Sequence, residues 1–260
     1  MKKTQLFLSA ALAVAAFAGA SPANAQANQV SVGTGAEYTT GKYGGTESTD
    51  TLYIPFIGRY ETGRWQLKAT VPYIRVSGPA NVVGAGADRV ALPGAGARRT
   101  ESGLGDIVAS AFYNVADERT QPFGLDLGVK VKLGTADEAK GLGTGENDYS
   151  LQADFFKRFG ELSAFGTLGY RFYGDPPGVD LRNVPYFAVG GSYRLSGETS
   201  VGLAYDYRPK IIAGGSEVSE LTAFFSQRLS REWRVQLYGL VGFSDASPDA
   251  GVGVLVDYRF

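Results

Sequence analysis

Charged residues recur in this sequence at every second position of otherwise apolar runs. The candidates are Arg64, Lys68, Asp106, Asp126, Lys130, Lys132, Asp154, Arg171, Asp206, Arg208, Glu220 and Arg234. A period of two is that of a β-strand, whose successive side chains point to opposite faces. The charges then share one face, and the chemistry open to them is that of an ionised lining that admits small solutes and discriminates by sign. Arg194 falls in the same pattern, and the set is slightly basic, which favours anions. The opposite reading is an ion-paired lining that fills the interior and shuts it. Tyr53, Phe112, Phe156, Phe165, Phe224 and Tyr238 fall on the charged face too, where rings either guide aromatic solutes or fill space.

Histidine is absent, which removes a Ser-His-Asp triad, a histidine general base and most zinc sites. The outer-membrane phospholipases and omptin-type proteases, whose chemistry uses histidine, go with them. No catalytic constellation is found, and neither a cofactor nor a metal is expected. The acidic group Asp137, Glu138, Glu146 and Asp148 matches no defined cation loop and reads as solvated charge. Removing Lys2 and Lys3 would take the net charge from −1 to about −3, so no basic excess exists to neutralise nucleic acid. Cysteine is absent, so no disulfide framework holds the chain.

The elements that carry these residues are strands. In residues 123–133, Phe123, Leu125, Leu127, Val129, Val131 and Leu133 alternate with Gly124, Asp126, Gly128, Lys130 and Lys132. The same alternation predicts strands over 30–38, 51–60, 65–73, 104–115, 148–157, 162–173, 185–195, 199–208, 218–229, 233–243 and 252–260. That makes about twelve, most of them roughly 10 residues or longer, the length a tilted strand needs to cross a bilayer. Connections alternate between short turns near 61–63, 116–121, 159–161, 196–198 and 230–232 and longer Gly- and Pro-rich loops. Such alternation, with both termini at the short-turn end, belongs to outer-membrane barrels. The longest loop, 75–103, either folds inward to narrow a pore or lies over its mouth.

Residues 1–25 read as a cleaved signal peptide: Lys2 and Lys3, an apolar run over 6–20, Pro22, then the small triplet Ala23-Asn24-Ala25. Residues 26–260 would then be the barrel domain, exported to the outer membrane of a Gram-negative bacterium with cleavage near Ala25. Aromatic residues at the ends of the apolar faces, among them Tyr38, Trp65, Tyr73, Tyr149, Trp233 and Phe243, fit two headgroup-level girdles. The expected fold is all-β: a transmembrane antiparallel up-and-down barrel with its apolar face to lipid.

A terminal Phe260, with Tyr258 two before it, resembles the C-terminal signature by which the outer-membrane assembly machinery recognises barrels. Three further stretches resemble the MetA-pathway of phenol degradation family of outer-membrane proteins. They are Gly103-Leu104-Gly105-Asp106-Ile107, Lys130-Val131-Lys132-Leu133, and Leu142-Gly143-Thr144-Gly145 with Asp148. Where the family tends to have Pro-Thr-Gly, this chain reads Gly134-Thr135-Ala136. The resemblance implies a transporter-like barrel for an unidentified small solute, which accords with a passive channel for aromatic or anionic compounds. The alternative is a closed structural or adhesive barrel whose external loops bind a partner.

Overall fold

The structure, a computed structural model, describes residues 28–79, 81–92 and 97–260; the signal-peptide reading of residues 1–25 lies outside them. In chain order the strands are β1 (Gln29–Gly41), β2 (Thr49–Thr62), β3 (Trp65–Pro79), β4 (Val82–Val83), β5 (Val90–Ala91), β6 (Arg98–Leu104), β7 (Ile107–Ala116), β8 (Gly124–Leu133) and β9 (Asp148–Phe159). There follow β10 (Leu162–Phe172), β11 (Val184–Arg194), β12 (Thr199–Arg208), β13 (Val218–Arg228), β14 (Trp233–Gly242) and β15 (Ala250–Arg259). Strands β6 and β7 pair one after the other with β3 and together hold one place in the wall. Twelve antiparallel strands thus run up and down in chain order, and β1 pairs with β15 to close the cylinder. The remaining two, β4 and β5, form a separate hairpin.

Which face is inside follows from exposure. Leu67, Leu127, Val129, Leu151, Leu168, Val189, Leu203, Leu237 and Val252 are exposed, while Gln66, Asp126, Lys132, Gln152, Asp154, Arg171 and Gln236 on the alternate positions are buried. In water that distribution would be inside out; in a bilayer it puts apolar surface against lipid and polar groups in the lumen. Aromatic pairs mark both rims. Trp65 packs against Tyr113 at 5.0 Å and Trp233 against Tyr258 at 4.8 Å near the short turns, and Tyr170 against Phe172 at 5.0 Å and Phe187 against Tyr207 at 5.3 Å near the long loops.

Each of the twelve expected strands is present, with one internal correction. The segment 104–115, read as a single strand, breaks at Gly105–Asp106. Leu104 is 60% exposed to the outside while Asp106, two residues on, is 8% exposed and inside. The alternation therefore slips by one residue there, as at a β-bulge. Pairing also reaches beyond the expected ends, Pro79 lying opposite Arg98, so the long loop is shorter than residues 75–103.

Twelve strands enclose more space than eight, which side chains alone fill. Part of it is taken by rings lying flat on the wall. Phe112, Phe156, Phe165, Tyr186, Phe224 and Tyr238 each sit directly across from a glycine on the next strand: Gly128, Gly124, Gly190, Gly169, Gly202 and Gly253 respectively. A Cβ on Gly202 would meet Phe224 Cζ at 2.1 Å, so the glycine gives the ring its bed. Gly202→Ala is expected to destabilise the folded barrel by about 1–3 kcal/mol through overpacking. Gly58→Ala, where a Cβ meets nothing within 4 Å, is expected to stay within about 0.5 kcal/mol. Urea unfolding of the two variants in lipid checks the contrast.

Candidate functional site

Between β3 and β6 the chain turns into the barrel rather than over it, its tip meeting side chains of the wall. Val82 and Val83 pair with Ala91 and Val90, and between them a 3-10 turn, Gly86–Asp88, reverses the chain. Gly84 and Gly86 have φ of +74° and +59°, backbone conformations that residues bearing a Cβ rarely take. Val82, Ala85 and Val90 are buried, and the small residues make the hairpin slim enough to enter.

Its tip carries two adjacent charges that part to two walls. The Asp88 carboxylate meets Arg171 of β10 at 2.9 Å and Lys130 of β8 at 3.4 Å. The Arg89 guanidinium turns the other way, donates to Glu220 of β13 at 2.6 Å and lies 5.7 Å from the ring centre of Tyr43. Arg89 is 4% and Glu220 0% exposed. A pair this buried contributes little net stability, because desolvation offsets attraction, but breaking it costs about 3–5 kcal/mol. These contacts therefore specify where the hairpin sits.

A second group of contacts seats the hairpin from the loop side. Lys132 on β8 lies 3.3 Å from Asp106 and 3.2 Å from Asp148, and its ammonium donates to Thr144 at 2.8 Å. The Ala136 amide donates to Asp106 at 3.0 Å. Leu142, 1% exposed, packs with Ile74 and with Ala85 of the hairpin, and the Gly84 amide donates to the Gly141 carbonyl at 3.1 Å. The acidic loop group disperses: Asp137 accepts from the Lys140 amide at 3.3 Å, and Asp148 serves Lys132. Among the described residues no group of three or more His, Cys, Asp or Glu could hold a metal ion.

The other expected lumen residues are distributed as follows. Lys68 lies on the inward face of β3 beside Arg59 of β2, and makes no ion pair among the described residues. Asp126 accepts from Asn114 at 2.6 Å, and Asp154 from Thr167 and Gln152 at 2.8 Å each, while Gln152 accepts from the Tyr186 hydroxyl at 2.8 Å. Asp206 is buried next to Glu220 in register, Arg208 donates to the Tyr173 hydroxyl at 2.8 Å, and Arg234 is buried on β14. Phe156, Phe165, Phe224 and Tyr238 form one inner cluster with Ala204, Leu240 and Leu255. Tyr53 packs on the Ile74 cluster and Phe112 is buried on β7. Arg64 is the correction: it stands exposed in the turn between β2 and β3 and does not join the lumen group, because the tight turn takes it out of the strand alternation. At the chain end, Tyr258 and Phe260 meet edge to face at 4.9 Å and the Phe260 amide donates to the Val30 carbonyl at 3.1 Å.

Sequence reasoning missed two inner contacts, Arg59 with Asp257 at 2.5 Å and the Tyr238 hydroxyl with Glu37 at 2.8 Å. Period-two parity on β1 and β2 would have marked Glu37 and Arg59 as inward. Asp88 and Arg89 had no such signal, since they lie in no strand of that length.

A closed barrel with an apolar exterior and an ionised, hydrogen-bonded interior is an outer-membrane β-barrel. Solved structures of the same build include the KdgM porin, with TM-score 0.54 and 12% identity over 88% of this chain and 99% of that one. The NanC porin matches with TM-score 0.55 and 9% identity, over 87% and 98% of the two chains. The translocator domain of the autotransporter NalP from Neisseria meningitidis matches with TM-score 0.55 and 13% identity, over 90% and 88%. No curated protein is significantly similar in sequence. The chain belongs to the MetA-pathway of phenol degradation family, whose model matches residues 19–260.

The Lys132 cluster yields a direct test. Lys132→Gln leaves Asp106 and Asp148 buried without their shared cation, and is expected to cost about 3 kcal/mol of local stability. Limited proteolysis of the folded barrel should then cut within 134–147 faster than in the unaltered protein, with the strands still protected.

Proposed function

We propose that the chain is a passive outer-membrane channel for small solutes, with the lumen as its path and diffusion as its mechanism. The observation that carries this reading is the polar lining itself: Lys68, Lys130, Arg171, Arg208 and Glu220 face inward at the level of the hairpin rather than being replaced by an apolar core. Such a lining favours charged solutes, and the cations at Lys68, Lys130 and Arg171 favour anions. The inner rings give an apolar strip beside them, suited to aromatic anions. Without histidine or cysteine, and with the carboxylates of Asp126, Asp154 and Glu220 held by an amide, a hydroxyl or a cation, the lumen reads as a solute path rather than a catalytic site. In this reading residues 1–25 direct export and are removed, and Tyr258 and Phe260 serve recognition by the assembly machinery.

A second reading, a closed barrel whose external loops bind a partner, draws on the hairpin, whose buried ion pairs hold it across the lumen. Single-channel recording of residues 26–260 refolded into a planar bilayer separates the two. The channel reading expects discrete steps, with a reversal potential in a salt gradient on the anion side. Barrels shown by spectroscopy to be folded and inserted yet electrically silent would transfer the function to the loops. Replacing Phe165, Phe224 and Tyr238 by leucine is expected to reduce uptake of aromatic anions several-fold while leaving chloride conductance nearly unchanged; equal effects on both would remove the aromatic strip from the path.

A further inference from the structure

The hairpin's carboxylate is the ion-pair partner of two wall cations at once. Lys130 and Arg171 are 13% and 5% exposed, and among the described residues Asp88 is the one carboxylate within 4.0 Å of either. Lys132, two residues from Lys130, is different, because wall and loop carboxylates Asp106 and Asp148 already serve it. Remove the hairpin tip, and among the described residues Lys130 and Arg171 keep no carboxylate within 4.0 Å, Asp148 acting on them only from further off. A wall built for structure alone would carry its own carboxylate there, as it does at Lys132. This wall leaves the position to the hairpin between β3 and β6, which is no part of the wall.

The surroundings fit an organic carboxylate. The guanidinium of Arg171 lies 5.5 Å from the ring centre of Tyr173, and the Tyr186 ring, one face laid on Gly169, donates its hydroxyl to Gln152 at 2.8 Å. Arg171, Tyr186, Asp206 and Arg208 line a cleft together with Phe187, Tyr207 and Ala87, the residue before Asp88. A planar carboxylate suits the fork of an arginine, and a ring attached to it suits the tyrosines.

We propose that Lys130 and Arg171 form a binding site for a small carboxylate, and that Asp88 fills it as a built-in stand-in which the solute displaces. The proposal rests on the channel reading for its purpose, but not for its chemistry. Exchange of one carboxylate for another leaves both cations paired, so the burial cost of the cations is not incurred again. What the solute must overcome is the tether: a side chain held on a short loop competes at an effective concentration in the millimolar range. The Arg89–Glu220 contact is separate from the exchange and keeps the other side of the tip docked.

The test is calorimetric titration of sodium benzoate into folded residues 26–260 in detergent, with benzyl alcohol as the uncharged probe of similar shape. Asp88→Asn, and Asp88→Ser as a second variant in case the first does not fold, are expected to bind benzoate at least tenfold more tightly than the unaltered barrel. Adding Arg171→Gln to either should abolish the gain, and benzyl alcohol should show no such difference. Equal benzoate affinity with and without Asp88, a gain that survives Arg171→Gln, or a matching gain for benzyl alcohol would each overturn the proposal. Conductance recorded on the same preparations separates this idea from the function it serves. Benzoate binding in silent barrels keeps the site and removes the channel, whereas conducting barrels indifferent to benzoate keep the channel and remove the site.

Discussion

Pairing of the first strand with the last is the constraint on which the rest depends. Inside hydrocarbon an unpaired backbone amide or carbonyl costs several kcal/mol, so a sheet can cross a bilayer only if it has no edge. The pairing of β1 with β15, from Ser31 opposite Arg259 to Thr40 opposite Ala250, removes both edges at once. Closure then divides every strand into a lipid face and a lumen face, and it makes the lumen a confined space in which charges and carboxylates have to find partners.

The lumen meets that demand by three means that grade from one end to the other. Toward the short-turn end, flat rings over glycines and hydrogen-bonded carboxylates such as Asp126 and Asp154 line the wall. Toward the long-loop end, cations and carboxylates from different strands meet through the hairpin, with Asp88 answering β8 and β10 and Arg89 answering β13. Near the loops, an apolar cluster of Val90, Tyr173, Leu181, Val184, Ile211 and Ile212 packs the hairpin's second strand against the outer connections. Ionic contacts in such a place set position more than stability, since the desolvation of each charge nearly cancels its attraction. The apolar clusters supply the adhesion and the ion pairs choose the register.

The stretches that carry the family resemblance converge on one place. Asp106, Lys132, Thr144 and Asp148 come from three separate segments and meet around one ammonium. The glycines among them are explained by close approach: a Cβ on Gly143 would lie 2.6 Å from the Asp106 carboxylate oxygens, and one on Gly103 would lie 2.9 Å from Leu142 Cδ1. At Gly134-Thr135-Ala136, where the sequence departs from the family's tendency, the contacts run through the backbone: the Ala136 amide reaches Asp106 and the Gly134 amide reaches Asn147 at 2.9 Å. What looked like a transport signature is, in physical terms, the anchor of one external loop and the seat of the hairpin.

Strand positions, the face each residue takes and the alternation of short and long connections were legible in the sequence, because all three rest on a period of two that is local to each segment. Lys130, Arg171, Asp206 and Glu220, given to the lumen on that basis, are little exposed, at positions that alternate with exposed apolar residues. Local periodicity carries no information on partners across the barrel, so the pairing of Arg59 with Asp257 and of Glu37 with Tyr238 required the closed cylinder. It also fails where alternation is interrupted, at the Arg64 turn and the slip at Gly105–Asp106. The inward course of Asp88 and Arg89 was decided by tertiary structure alone: a loop's direction depends on the charges that await it, and those charges are brought together only when the strands that bear them close.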